Sequence, residues 1–153
     1  MVASAYLDGL KMLARRELSE AQVRQRLARR GHAPESIDAA VERLKNDRAI
    51  DDARVAEAIA RTETGVKRRG RLRVRRRIEH AGIAAQTARR VVDDVFSGID
   101  DHALIEAALG RRLRDQTTIA DDREFRRLYR YLIAQGFDAE SVMRTLTAHR
   151  RRS

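Results

Sequence analysis

The residues Val23–Leu44 read VRQRLARRGHAPESIDAAVERL, and the pattern returns twice: VRRRIEHAGIAAQTARRVVDDV at Val74–Val95 and LYRYLIAQGFDAESVMRTLTAH at Leu128–His149. The three segments align on Gly31, Gly82 and Gly136. Eight residues before each glycine stand Val23, Val74 and Leu128, and four before stand Leu27, Ile78 and Leu132. Six after stand Ile37, Ala88 and Val142, and ten after stand Val41, Val92 and Leu146. Apolar residues four apart share one helical face. A glycine between two such runs supplies the left-handed residue that ends the first helix. Each segment is therefore expected to be two helices joined by a tight turn.

A third apolar stripe precedes each pair: Tyr6, Leu10 and Leu13; Val55 and Ile59; Leu104, Ala108 and Leu109. Helix starts are marked too. Ser19 with Gln22 reads as a capping box flanked by Leu18 and Val23 as a hydrophobic staple. Asp51, Asp100, Asp121 (with Glu124) and Asp138 read as N-caps. The expected fold is all-α: nine helices in three tandem three-helix units, residues 1–50, 51–99 and 100–153. A unit of about 50 residues buries little surface alone, so the units should stack as a repeat into an elongated, curved body.

The chain has 153 residues, 33 of them Lys or Arg against 23 Asp or Glu, for a net charge of +10. That surplus points to nucleic acid, an anionic membrane or an acidic protein surface. No apolar run is long enough to span a bilayer, and MVASAYLDGLKML lacks the layout of a signal peptide. Cysteine is absent, which excludes disulfides and thiol chemistry and suits a reducing compartment, so a cytoplasmic location is expected.

Signals for chemistry are weak. Four Asp-Asp pairs occur, at 51/52, 93/94, 100/101 and 121/122. Neighbours on a helix diverge by roughly 100°, so no pair chelates alone; three sit where caps belong, and Asp93/Asp94 reads as a solvated face. His32, His80, His102 and His149 show no metal-ligand spacing, and His32 reads as a partly buried staple residue. GVKRRG lacks the Lys-Ser/Thr of a phosphate loop, and no serine elbow is present. No enzyme activity, metal or cofactor is expected.

The basic surface is the informative feature. Lys67–Arg77, KRRGRLRVRRR, has eight cations among eleven residues and no acid. Lys67, Arg68 and Arg69 fall in the link before the fifth helix; Arg71, Arg73, Arg75, Arg76 and Arg77 run through its start. Cations at a helix N-terminus oppose the dipole, which favours a binding role for this segment. Arg24 and Arg30 on the second helix and Arg126 and Arg127 on the eighth are further candidates, with Arg26, Arg29, Arg111, Arg112, Arg114, Arg123, Arg130 and Arg150–Arg152 nearby in sequence. Arg15 and Arg16 lie beside Glu17 and read as a neutralised face. The helix after each glycine is mixed or acidic, so base-specific reading by a recognition helix is not expected. Among six aromatic residues, Tyr131 is the one expected to be exposed for stacking on bases. If about five cations neutralise duplex phosphates, log affinity should fall with log salt at a slope near −4.5. No helix joins a bulky apolar face to its cationic one, so a membrane is the weaker partner.

The order LARRELSEAQVRQRLARRGH, IDDARVAEAIA, a basic link and RLRVRRRIEHAGI resembles the RecX family of bacterial regulatory proteins. The likeness covers nearly the whole chain. It is most specific in Arg16-Glu17 with Ser19, Leu27 and Gly31, in the Ile50-Asp51-Asp52 step, and in the arginine-rich helix ending at Gly82-Ile83. The chain departs from the family pattern at Val55, where an aromatic is usual, and at Arg76, Arg77 and Ile78. The resemblance implies three tandem three-helix units and a protein, expected as a monomer, that binds the RecA recombinase filament on DNA. It implies damping of strand exchange, ATP hydrolysis and the repressor cleavage of the SOS response, by blocking filament growth or by promoting disassembly. It carries no catalytic residues. The residues alone also allow a sequence-independent accessory protein for single- or double-stranded DNA, or an adaptor for another acidic protein.

Overall fold

Gly31, Gly82 and Gly136 all adopt left-handed backbone, with φ of 87°, 84° and 100°, and each ends a helix as the repeat predicts. The computed structural model describes residues 4–114 and 116–150. Nine helices occur among them: α1 (Ala5–Arg15), α2 (Glu20–Arg29), α3 (Pro34–Asn46), α4 (Asp52–Gly65), α5 (Arg71–His80), α6 (Ala85–Ser97), α7 (Asp101–Leu113), α8 (Asp122–Ala134) and α9 (Ala139–Ala148). The expected caps form. Ser19 and Gln22 make a reciprocal capping box, and Asp51, Asp100, Asp121 and Asp138 each accept from a backbone N–H one turn into the next helix.

Buried apolar side chains fall into three clusters, one for α1–α3, one for α4–α6 and one for α7–α9. The extensive helix–helix packings all lie within these triplets. Ala108 and Leu109 of α7 and Val55 of α4 are buried as the sequence stripes predict, but α1 and α4 owe their closest packing to small residues. In α1 the buried positions are Ala5, Asp8, Gly9 and Met12, while Tyr6, Leu10 and Leu13 flank them. In α4 the fully buried residues are Ala56 and Ala60. Small residues let α1 and α4 come close to α3 and α6; a Cβ on Gly9 would lie 2.7 Å from Leu44 Cδ1. His32 is partly buried as expected but in a polar setting: its Nε2 lies 2.7 Å from Asp8, which also meets Arg30 at 3.5 Å.

Neighbouring triplets meet through one repeated joint. The N-cap of the middle helix of one triplet hydrogen-bonds the carbonyl just before the turn glycine of the next. Ser19 Oγ donates to the Ala81 carbonyl, and Gly70 N–H donates to the Gln135 carbonyl at 2.8 Å. The fit is close: a Cβ on Gly82 would lie 2.5 Å from Ala21 Cβ, and one on Gly136 would lie 2.5 Å from the Arg73 backbone nitrogen. The second aspartate of each capping pair makes a long-range link, two of them between triplets and one within the last. Asp52 accepts from Glu20 N–H at 2.9 Å, Asp101 faces Arg71 at 3.7 Å, and Asp122 pairs with Arg150. In the last triplet His149 binds the Thr117 carbonyl and Glu106, fastening the end of α9 to α7. No helix among the described residues is long and apolar enough to cross a membrane.

The joint separates two roles of the turn glycines. Gly31 has open space where a Cβ would stand, whereas Gly136 does not. Gly31→Ala should cost only the left-handed strain, about 1–2 kcal/mol. Gly136→Ala should cost a further ~1–3 kcal/mol of overpacking. Urea denaturation of the two variants checks the difference.

Candidate functional site

The basic link is a folded structure. Glu63, 2% exposed near the end of α4, accepts from Lys67 Nζ at 3.3 Å and from Arg69 at 2.7 Å. The Arg69 N–H returns to the Glu63 carbonyl at 2.9 Å, and Arg68 takes a left-handed turn with φ of 54°. Burial pushes the Glu63 carboxyl up, but the hydrogen bonds from Arg69 and Lys67 outweigh it and hold the group below the usual carboxylate range. Glu63 was not singled out in the sequence. The available signal was its place as the last acid before Glu79, four residues ahead of Lys67.

Along α5 the arginines divide. Arg71 lies 3.4 Å from Asp93 and covers the Phe96 ring. Arg73 donates to the Ala134 carbonyl of the next triplet at 3.1 Å. Arg75 faces Glu79 at 3.8 Å, and its Nε is buried without a hydrogen-bond partner. These three serve packing or neutralisation. Arg76 and Arg77 are exposed and meet no carboxylate among the described residues; Arg76 only reaches back to the Leu72 carbonyl at 3.4 Å. Arg68 also lacks an acidic partner among the described residues. Beside Arg76 the side chain of Leu72 is 47% exposed. It lies between two hollows, one of about 190 Å³ toward Arg75, Arg89 and Val92 and one of about 140 Å³ toward Ile105 and Phe137. Arg71 borders both.

The candidates outside α5 divide likewise. Arg24 is held by Glu20 at 3.1 Å and Asp38 at 2.6 Å, and Arg30 leans on Asp8. Arg126 and Arg127 are exposed on α8, with no acidic partner among the described residues; Arg151 and Arg152 lie outside those residues. Two expectations need correction. Tyr131 is not free to stack, because Arg112 covers its ring at 4.1 Å. Arg15 and Arg16 are not neutralised by Glu17, which turns to Arg54 of α4 at 3.0 Å. Chain neighbours diverge in direction, and the long-range partner has the better geometry.

Helix triplets in series, linked by one recurring joint and presenting arginines with an exposed leucine, define an all-α repeat protein. The family model for the first three-helix domain of RecX matches residues 5–44, which span α1 to α3. Regulatory protein RecX of Chromohalobacter salexigens is 32% identical over 135 residues, 88% of this chain and 86% of that protein. Its counterpart from Syntrophotalea carbinolica is 31% identical over 134 residues, 87% and 88% of the two chains. The chain belongs to the RecX family of regulatory proteins. A crystal structure of regulatory protein RecX superposes with a TM-score of 0.75 at 21% identity, covering 94% of this chain and 70% of that one. RecX from Lactobacillus salivarius gives 0.74 at 16% identity, covering 94% and 93%. These two likenesses speak for the fold.

Replacing Glu63 tests the folded link. Glu63→Gln should destabilise the protein by about 1–3 kcal/mol at pH 7, because a neutral amide with one accepting oxygen cannot serve both Arg69 and Lys67. A carboxyl held below its ordinary value stabilises the fold above the unfolded pKa of about 4.3 and loses that contribution as pH falls through the folded value. The gap between the wild type and the variant should therefore be constant from about pH 7 to 5 and shrink below about pH 4, as read by thermal melts.

Proposed function

We propose that this protein binds the RecA recombinase filament on DNA and damps its activities, acting without catalysis of its own. The observation that carries this reading is the pairing on α5 of the unneutralised Arg76 and Arg77 with the half-exposed Leu72. Phosphate contacts call for cations. An exposed leucine between two hollows adds nothing to phosphate binding but suits an apolar contact with a protein surface. A filament of recombinase on DNA offers both. Membership of a family of regulatory proteins supports the same reading.

In this reading residues 1–50, 51–99 and 100–153 are three units of one curved body lying along the filament. Arg68, Arg126 and Arg127 extend the cationic face, and Lys67 and Arg69 shape the link beside it. Binding is independent of DNA sequence, and the protein works as a monomer in the cytoplasm.

ATP turnover by the cognate recombinase on single-stranded DNA tests the proposal. Turnover should fall at protein levels well below those that saturate the DNA. The double variant Arg76→Ala/Arg77→Ala should weaken both DNA binding and this suppression, and should make the log–log salt slope on single-stranded DNA shallower by about 1.4. Leu72→Ala should weaken suppression severalfold and leave DNA affinity unchanged. If suppression appears only as DNA becomes occupied, and Leu72→Ala has no effect, the protein is a plain DNA-binding accessory.

A further inference from the structure

A second cationic feature lies on the first triplet, away from α5. Lys11 and Arg15 are one turn apart on α1, and Arg26 of α2 is four residues before Arg30, which caps that helix. The two pairs line one cleft of about 340 Å³, with Arg16 from the interhelical loop and Met12 as the remaining lining residues. All five cations are exposed, and Met12 is 6% exposed, so the cleft has an apolar floor and a charged wall. None of its lining residues is acidic.

Of the two carboxylates nearest in the chain, Glu17 is engaged elsewhere, while Asp8 is buried and shared between His32 and the cleft's own Arg30. Glu17 bonds Arg54 at 3.0 Å across the joint to the second triplet. Asp8 is buried against His32 at 2.7 Å, with Arg30 at 3.5 Å. Glu20, the first acid of α2, is taken by Arg24 at 3.1 Å and Lys45 at 3.1 Å. Lys11, Arg15, Arg16 and Arg26 meet no carboxylate among the described residues. Like charges one turn apart on a helix repel, and two such pairs face each other here. Such an arrangement becomes favourable when an anion with several acceptor oxygens occupies the middle. Guanidinium groups suit phosphate in particular, because their planar fork of donors matches two of its oxygens.

We infer that the α1–α2 cleft is a phosphate-binding site, in which Lys11, Arg15, Arg16, Arg26 and Arg30 grip one or two adjoining phosphate groups. Its ligand is either the backbone of a nucleic-acid strand or a free polyphosphate. The chemistry is shared, and the sources are separated by experiment. The inference does not rest on binding to a recombinase filament, since the site is complete in this chain alone.

The test is nuclear magnetic resonance of the whole protein in low salt, titrated in separate samples with inorganic pyrophosphate and with a single-stranded octathymidylate. Saturable shifts at Lys11, Arg15, Arg16, Arg26 and Arg30 are expected with at least one probe. A response to the oligonucleotide alone assigns the site to nucleic acid, and a response to pyrophosphate alone assigns it to a free anion. The triple variant Lys11→Gln/Arg15→Gln/Arg26→Gln changes only exposed side chains, so the fold should persist. It should weaken binding at the cleft at least tenfold. Absence of saturable shifts in the cleft with both probes at millimolar concentration would overturn the inference, as would equal cleft affinity in the triple variant.

Discussion

The architecture depends on the carbonyl group that precedes each turn glycine. In the second and third triplets that oxygen, of Ala81 and Gln135, accepts from the N-cap residue of the preceding triplet's middle helix. A helix end leaves backbone groups unpaired, and here the start of one helix and the turn closing another satisfy each other. The geometry demands glycine twice over, once for the left-handed turn and once because Ala21 and the Arg73 backbone come so near. With that hydrogen bond set, the triplets keep a fixed relation although each has a core of its own. The side-chain links then add to it: Glu20 N–H to Asp52, Arg54 to Glu17 and Arg71 to Asp101.

Charge is organised around these joints. A net charge of +10 tells nothing of which arginines are free. The structure commits Arg24, Arg54, Arg69, Arg71 and Arg73 to carboxylates or carbonyls and leaves others to solvent. Exposed ion pairs contribute little each, but they decide where the uncompensated charge appears. Because Glu17 and Glu63 face the joint and the link, positive charge collects on the α1–α2 cleft and on the outer face of α5. The apolar Leu72 then gives the α5 face a character that a simple phosphate-binding surface lacks.

Much of this was legible in the amino-acid order. The turn glycines, the capping serine and the first aspartate of each pair are local signals, and local signals survive into the structure when every neighbour agrees. The all-α repeat and the family resemblance came from the same local pattern. What stayed hidden was long-range. The small residues Gly9, Ala56 and Ala60 outrank the larger Leu10 and Ile59 at the helix contacts, because close approach favours what is absent from a side chain. The second aspartates, Asp52, Asp101 and Asp122, find partners dozens of residues away along the chain. The fate of each arginine depends on such partners, so the basic segment was visible as a whole while its division into bound and free members was not.

The recurring joint is directional, with a donor face on one side and an acceptor face on the other, and head-to-tail connections of that kind grow into fibres unless something stops them. In the last triplet the donor face of that joint is altered. Its middle helix, α8, begins about a turn earlier relative to its glycine than α2 and α5 do, and it starts with the carboxylate of Asp121, which would repel a carbonyl where the Ser19 hydroxyl and the Gly70 N–H attract one. The start of α8 thus offers no donor that matches the carbonyl before Gly31 of a second molecule.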